Sequence, residues 1–216
     1  MRQRIKIAAL ALGLMMPLTT TGPVAAADAT DRDQQYDLGL AYLRGQSVPL
    51  DEARGATLLE AAANAGNAAA QLDLSALYRT GRGVSRNGAK AFKWLSAAAD
   101  QGFSTAQYHL ARAFHMDDLG MGHDPALAAH WYHAAATQGH VDAQIALGGL
   151  YLAGIGVMQS RAMAMAWYNE AAGESHHAKR LADFLARQLS PKERKAAKLI
   201  DLNAPVQSLT GAIAAR

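Results

Sequence analysis

The sequence predicts an all-α solenoid built from one helix–turn–helix unit that is repeated four times. Three features support this fold class: a glutamine that returns at a nearly constant interval, glycines between two apolar segments, and tryptophans in the second segment. The glutamine stands at Gln35, Gln71, Gln107 and Gln144, with spacings of 36, 36 and 37 residues. Repeats of this length stack so that each unit buries its apolar face against its neighbours.

The first segment of each unit has the spacing of an amphipathic helix, which we call helix A. A leucine follows each glutamine by three residues, a small residue comes next, and an aromatic residue stands four after the leucine. Spacings of three and four residues mark the buried stripe of a helix, and small residues allow a neighbouring helix to approach. The three columns are Leu38, Leu74, Leu110 and Leu147; Gly39, Ser75, Ala111 and Gly148; and Tyr42, Tyr78, Phe114 and Tyr151.

A turn and a second helix, helix B, complete the unit. Glycine favours the left-handed conformation that ends a helix, and it recurs at Gly45, Gly81 and Gly154, with a second column at Gly83 and Gly156. The N-cap residues predicted for helix B are Asp51, Asn87, Asp124 and Ser160. Helix B then carries Leu58, Trp94, Trp131 and Trp167 in one column, followed by alanines and a final glycine at Gly66, Gly102 and Gly139.

These columns resemble a known family, the Sel-one-like repeat, which is a tetratricopeptide-like module. The best matches are Gly81-Arg82-Gly83-Val84 with Lys90-Ala91 and Trp94, and Gly154-Ile155-Gly156-Val157 with Trp167-Tyr168. The resemblance extends over residues 35–172 and implies a right-handed α/α solenoid. Unit one departs from the pattern with Ser47 in place of the second glycine, and unit three departs with Asp117 in place of the first.

The N-terminal segment has the features of a secretory signal peptide, predicted at residues 1–27 and followed by a linker at 28–34. Arg2, Arg4 and Lys6 precede a twelve-residue apolar stretch, and small residues lead up to Ala27. Twelve residues are too few to span a bilayer. We therefore expect an exported protein without an integral membrane segment after cleavage, in the periplasm of a Gram-negative bacterium or secreted.

Removal of this segment leaves no basic excess. The chain has 21 Lys and Arg against 18 Asp and Glu, and three of the basic residues lie in the signal segment, which leaves 18 against 18. A neutral chain gives no reason to expect nucleic-acid binding. The absence of cysteine excludes disulfide bonds and a lipid anchor on an N-terminal cysteine.

The repeats are predicted at residues 35–70, 71–106, 107–143 and 144–177, with a partial fifth unit that extends the solenoid to residue 189. His176–Gln188 reads as a fifth helix A, with Leu181, Phe184 and Leu185 as its apolar stripe. Ser190, Pro191 and Glu193 predict a capping box that opens a capping helix over 190–202. Residues 203–216 have a weak pattern and are predicted to be a mobile tail.

Unit three is rich in histidine, which raises two hypotheses. Six of the eight histidines fall there: His109, His115, His123, His130, His133 and His140. A transition-metal site would use His130 and His133 with His176 or His177, but these positions align with ordinary surface residues in other units, so no metal and no cofactor are predicted. A pH-sensing role for His109 and His115 stays open.

No catalytic motif is present, so the protein is predicted not to be an enzyme. The sequence lacks a Gly-x-Ser-x-Gly elbow, a phosphate loop and a metalloprotease motif. Asp117 and Asp118 are adjacent carboxylates, but they lie in an irregular loop where solvated acidic residues are the usual explanation. A catalytic role therefore has no motif to support it.

The resemblance instead implies an exported protein-interaction scaffold or adaptor that binds a protein or peptide, with a role in regulating an envelope sensor or supporting an envelope assembly. The alternative is a protein that binds peptidoglycan glycan or peptide, with hydrolysis as a further option. Exported relatives proposed for such roles resemble disulfide-rich versions of the repeat, and a chain without cysteine departs from them. The sequence leaves the oligomeric state open.

In solenoids of this type the A helices line the concave face, so variable positions on helix A are the candidate binding residues. A groove of mixed apolar and charged groups suits an extended peptide or a partner helix. The alternative is that these side chains are only solvated. The candidates are Asp37, Leu40, Asp73, Arg79, His109, Arg112, His115 and Leu152.

Overall fold

A computed structural model describes residues 23–206, with side chains from residue 31 onward. Helices A and B alternate along the chain, and in units two to four each A helix packs against the B helices before and after it. The described part of the chain is therefore an α/α solenoid, as the repeats predict. Its helices are α1 (Pro23–Arg44), α2 (Glu52–Asn64), α3 (Ala68–Thr80), α4 (Gly88–Asp100), α5 (Ser104–Met116), α6 (Pro125–Ala136), α7 (Val141–Ala153), α8 (Arg161–Ala171), α9 (His176–Gln188) and α10 (Pro191–Ala197).

The first helix is longer than the repeat pattern indicates. It begins at Pro23 and includes residues 28–34, which the sequence predicts as a linker. Most of the predicted signal peptide, residues 1–22, lies outside the described residues. Between residues 23 and 206, none of the helices is long and apolar enough to cross a bilayer.

The predicted N-caps of the B helices are confirmed. Each cap side chain accepts a hydrogen bond from the backbone N–H three residues on, as Asp51 does from Arg54 at 2.9 Å. Each cap backbone N–H also donates to the carbonyl of the aromatic residue in the preceding A helix, for example from Asn87 to Tyr78 at 2.8 Å. The turn between the two helices is thus fixed at both ends by hydrogen bonds.

The recurring glutamine joins neighbouring units. In units two to four its side chain is buried, and its Nε2 donates to a carbonyl near the C-terminal end of the preceding B helix. The bonds run from Gln71 to Ala63 at 3.0 Å, from Gln107 to Ala99 at 3.2 Å, and from Gln144 to Ala136 at 3.1 Å. The A helices begin about one turn before the glutamine, at Ala68, Ser104 and Val141, which is earlier than the sequence pattern indicates.

In units two and three, a second glutamine near the end of helix B bonds to the buried one. Gln101, at the end of α4, donates to Oε1 of Gln71 at 2.7 Å, and Gln138 donates to Oε1 of Gln107 at 2.7 Å. Each buried glutamine in these two units therefore both donates to the unit before it and accepts from its own B helix. Gln35 has no preceding B helix in the repeat series, and its side chain bonds instead to Asp31 within α1.

The second glycine of the turn is required by a close approach as well as by its backbone conformation. Gly83 has a φ of +69°, and a Cβ at this position would overlap the carbonyl oxygen of Glu52, the first residue of the preceding B helix. Gly156 has the same φ and would overlap Pro125, the first residue of α6. Ser47 occupies this position in unit one, where no B helix precedes it in the repeat series.

In unit three the turn also lies close to the preceding B helix, but here the glycine belongs to the B helix and not to the turn. Its loop presents the carbonyl oxygen of Leu119 to the first residue of α4, and that residue is Gly88. A Cβ on Gly88 would lie 3.0 Å from this oxygen, a tight contact. Unit three can therefore carry Leu119 in place of the second turn glycine, because unit two has a glycine, Gly88, at the point of contact.

The leucine column forms the centre of the solenoid, except at its N-terminal end. Leu74, Leu110 and Leu147 are at most 1% exposed, whereas Leu38 is 43% exposed because no unit packs on its N-terminal side in the described residues. Trp94 and Trp167 are buried, and Trp131 packs partly buried against the core.

The C-terminal end is closed by α9, α10 and the segment that follows. Helix α9 has the predicted limits, but Phe184 is 52% exposed, so this residue is not part of the buried stripe. The capping box at Ser190 is confirmed, while α10 ends at Ala197 and is shorter than predicted. The chain then turns back so that Ile200, Leu202 and Val206 pack on the last core cluster.

We expect replacement of a buried glutamine to destabilise the solenoid. Gln71→Ala removes a buried amide that donates to the Ala63 carbonyl and accepts from Gln101, and it leaves a cavity between two units. The Ala63 carbonyl keeps its bond from the Gly66 N–H, and the free energy of unfolding should fall by about 2–3 kcal/mol. Gln35→Ala is the matched control, because its bond lies within one helix, and should change the value by about 0.5 kcal/mol or less. Urea unfolding followed by circular dichroism measures both; equal effects would contradict the role of the buried amide.

The contact at Gly83 predicts a second difference. Gly83→Ala places a Cβ against a backbone carbonyl at positive φ, and should lower the free energy of unfolding by at least about 2 kcal/mol. Gly102→Ala has a φ of +84° but no neighbouring atom within 4 Å, so only the conformational penalty of about 1 kcal/mol applies. Thermal and urea denaturation of both variants compare the two; a smaller loss for Gly83→Ala would contradict the close approach.

Candidate functional site in the A-helix groove

A cavity of about 170 Å³ opens between two consecutive A helices, α3 and α5. Helix α4 supplies its apolar floor through Ala91 and Leu95, and the loop after α5 closes one side. Charged and apolar groups both line the cavity. Its lining residues are Leu72, Asp73, Ser75, Ala76, Arg79, Ala91, Leu95, His109, Arg112, Asp118 and Leu119.

The irregular loop of unit three shapes this cavity. Asp117 ends α5 in the left-handed conformation, with a φ of +52°, and its Oδ1 accepts a hydrogen bond from the Gly122 backbone N–H at 2.7 Å. Aspartate tolerates this conformation better than most residues. The loop then brings Asp118 and Leu119 to the cavity, while the Leu119 backbone rests against Gly88.

The aspartates and arginines of the cavity differ in how they are engaged. Asp73 accepts a hydrogen bond from the Tyr36 hydroxyl at 2.9 Å, and burial together with this bond raises the pKa of Tyr36 to about 12. Arg79 and Arg112 take part in none of the ion pairs found in residues 31–206. Besides Asp73, the cavity lining thus carries three charged groups outside these ion pairs: the guanidinium groups of Arg79 and Arg112 and the carboxylate of Asp118.

His109 lies between these charges. Burial lowers its pKa, and the positive charges of Arg112 and Arg79 lower it further, while Asp118 acts weakly in the opposite direction. Its ring also lies edge-on to Tyr108, with 5.3 Å between the ring centroids. The electrostatic environment of His109 thus favours the neutral imidazole and indicates a locally positive field.

The structure brings together four of the eight residues predicted from the A-helix pattern. Asp73, Arg79, His109 and Arg112 line the cavity. The other four lie elsewhere: Asp37 is exposed on α1, Leu40 and Leu152 pack against core clusters, and His115 faces His123 and Tyr132. The pattern missed Asp118 and Leu119, although the departure of unit three from the glycine pattern pointed to this loop.

The histidines of unit three do not gather at one point, although the ring centroids of His115 and His123 lie 6.4 Å apart and Tyr108 contacts both His109 and His140. His133 bonds through Nε2 to the Leu202 carbonyl at 2.9 Å, and its ring lies edge-on to Trp167. His130 lies edge-on to Trp131. Between residues 23 and 206 there is no group of three or more metal-ligating side chains that could hold an ion.

Comparison with known proteins identifies the repeat. Residues 35–67, 68–103, 104–140 and 141–176 each match the Sel1 repeat. The chain belongs to the Sel1 repeat family. Proteins built from Sel1 repeats are generally protein-interaction scaffolds. No curated protein matches the chain.

Two solved structures are similar to this Sel1 repeat chain. One is a protective antigen present in uropathogenic Escherichia coli strains, which displays an SLR fold; it is 35% identical, with a TM-score of 0.64, over 68% of this chain and 32% of the antigen. The other is a Sel1 repeat protein from Oxalobacter formigenes; it is 25% identical, with a TM-score of 0.64, over 71% of this chain and 63% of that protein. The chain thus spans about a third of the antigen.

The buried histidines predict a loss of stability in acid. Burial lowers the pKa of His109, His115 and His133 below the ordinary value of 6.5, with His123 also lowering that of His115. Their contribution to stability is therefore complete above pH 6.5 and is lost as the pH falls through the lowered pKa values. We expect the melting temperature to fall between about pH 7.5 and about pH 5.

The double variant His109→Gln and His115→Gln should reduce this fall, because it removes two of the three groups. Replacement of the exposed His176 and His177 by glutamine is the matched control and should leave the profile unchanged. Differential scanning calorimetry across the pH range compares the three proteins. A profile that is the same in the first variant as in the wild type would rule out a pH-sensing role for these two residues.

Proposed function

We propose that the protein is an exported, non-catalytic scaffold that binds a protein partner through its A-helix face. The observation that carries the proposal is the cavity between α3 and α5, with an apolar floor and two arginines outside the ion pairs of the described residues. Guanidinium groups form strong paired hydrogen bonds with carboxylates. A surface of this kind, in a family of protein-interaction scaffolds, favours recognition of a peptide segment.

The geometry also favours a non-catalytic role. Asp117, one of the two adjacent carboxylates, accepts the Gly122 N–H and serves to hold the loop. In the cavity, Asp73 is engaged by the Tyr36 hydroxyl, and His109 lies beside arginines and not beside a nucleophile paired with it. A catalytic base must be within hydrogen-bond reach of the group that it activates. The cavity residues therefore support binding better than acid–base chemistry.

Export is the second part of the proposal, and it rests on the sequence of residues 1–27. A basic start, a short apolar stretch and small residues before the predicted cleavage site are typical of a secretory signal. In the periplasm such a scaffold would regulate an envelope sensor or support an envelope assembly. Expression of the full chain in a Gram-negative host, followed by fractionation and N-terminal sequencing, tests this part; an uncleaved cytoplasmic product would contradict it.

Partner binding is tested by crosslinking and pull-down from the native envelope. Reversing both charges with Arg79→Glu and Arg112→Glu should reduce capture of the partner at least about tenfold. The melting temperature should change little, because neither side chain is in an ion pair in the described residues. Lys192→Glu with Lys195→Glu is the matched control, since it makes the same charge change on exposed residues of α10.

Three results would contradict parts of the proposal. Equal capture by the A-face variant and the wild type would remove this face from partner binding. Co-sedimentation of the protein with purified peptidoglycan, with no protein captured from the envelope, would instead support the cell-wall alternative. Release of soluble fragments in the same peptidoglycan experiment would contradict the non-catalytic part as well.

A further inference from the structure

We infer that the cavity between α3 and α5 binds one apolar side chain of an extended peptide, while Arg79 and Arg112 bind a carboxylate side chain two positions away in the sequence of that peptide. This inference rests on the proposed function and specifies its ligand. The partner segment is thus acidic and carries an apolar anchor.

The size of the cavity sets the first limit on the ligand. A volume of about 170 Å³ is close to that of a cavity that accepts a benzene-sized group. Its apolar walls come from three elements: Leu72 and Ala76 on α3, Leu95 on α4, and Leu119 in the loop of unit three. Burial of an apolar side chain in this space removes its surface from water, which favours binding. One medium-sized apolar side chain fits, and a bulky folded surface does not.

The charges around the cavity set the second limit. Asp73 is already held by the Tyr36 hydroxyl, whereas Arg79, Arg112 and the single carboxylate of Asp118 lie outside the ion pairs of residues 31–206. The two arginines also act on His109 more strongly than Asp118 does, so the field there is positive. A carboxylate fits the paired donors of a guanidinium group. The ligand therefore carries negative charge beside its apolar anchor.

The two arginines beside an apolar cavity occur at one seam of the repeat array, where a seam is the contact between the A helices of two neighbouring units. The position of Arg79 is occupied by His115 in unit three and by Leu152 in unit four. The position of Arg112 is occupied by Ala76 in unit two and by Gly149 in unit four. Among the described repeats, only the seam between units two and three pairs two arginines across neighbouring A helices. The site is a property of this seam and not of the repeat in general.

The apolar floor and the charged rim favour a peptide over a small anion. A free carboxylate or phosphate would satisfy the arginines but would leave the cavity of Leu72, Leu95 and Leu119 unfilled. In an extended chain, residues two positions apart present their side chains to the same face, about 7 Å from each other, so an acidic and an apolar side chain at that spacing can contact one surface together. Since the A-helix face continues onto α1 and α7 on both sides, the carboxylate is assigned to an internal side chain and not to a chain terminus.

The probe is a fluorescent, N-acetylated and C-amidated peptide in a glycine–serine background, with one leucine and with an aspartate two positions before it and another two positions after it. Fluorescence anisotropy should show saturable binding to the mature protein. Changing the aspartates to asparagine, or the leucine to glycine, should each weaken binding about tenfold or more. The same peptide with a free C-terminus should bind equally well.

Protein variants test the two halves of the site separately. Arg79→Glu with Arg112→Glu should weaken binding of the acidic peptide at least about tenfold and should strengthen binding of the matching lysine peptide. Ala76→Leu leaves the charge unchanged but fills the cavity, and should abolish the preference for leucine over glycine. Arg187→Glu is the control, because Arg187 is an exposed arginine in the last turn of α9, as Arg79 is in the last turn of α3.

A magnetic resonance titration of His109 supplies a readout that a change in folding would not mimic. A bound carboxylate offsets the arginine charges, so the acidic peptide should raise the pKa of His109. The groups that face this ring are Arg79, Arg112, His140, Asp118 and Tyr108. The asparagine peptide should leave the pKa of His109 unchanged.

Several outcomes would overturn the inference: no binding of the acidic peptide at millimolar concentration, equal binding of the asparagine peptide, or binding that requires a free C-terminus. Such a result, with the native partner still captured through the A-helix face, would leave the proposed function intact. If the wild-type protein captured no envelope protein but still bound the acidic peptide, the result would instead contradict the proposed function alone.

Discussion

The solenoid depends on a buried amide that links each unit to the one before it. The side chains of Gln71, Gln107 and Gln144 donate at 3.0 to 3.2 Å to carbonyls near the end of the preceding B helix. These carbonyls also accept the N–H of the glycine that ends the helix, so the glutamine adds a bond from another unit. Because a buried amide is costly without its partners, this contact ties each A helix to the unit before it.

The groove differs from one pair of units to the next because the loops differ, while the buried contacts between the helices stay the same. In units two and four a glycine of the turn meets the preceding B helix, and in unit three Leu119 takes that place against Gly88. The exchange keeps the close packing of the frame but adds the side chains of Asp118 and Leu119 to the cavity. The side chains that distinguish this cavity therefore come from the place where the repeat pattern changes, and the helix packing is kept.

Features with a local cause could be predicted from the sequence, and features that depend on contacts between units could not. The N-caps, the capping box at Ser190 and the limits of α9 follow from residues within one helix turn or from helical periodicity. The exposure of Leu38 reflects which units pack beside it within the described residues, and the packing of Leu202 on the last core cluster involves residues that are distant in sequence. Position on helix A was enough to predict the cavity residues Asp73, Arg79, His109 and Arg112. The path of the loop that carries Asp118 could not be predicted in this way, because the loop packs against Gly88 in another unit.

The glycine exchange between Gly88 and Leu119 has a consequence for how such arrays can be recombined. A copy of unit three inserted directly after unit one would present Leu119 to Glu52, a residue with a side chain, and the fit would be lost. A copy of unit two joined directly to unit four would bring Gly88 and Gly156 together and leave a gap. The segment that can be transplanted intact is not a repeat but the stretch from Gly88 to Leu119, which begins in one unit and ends in the next.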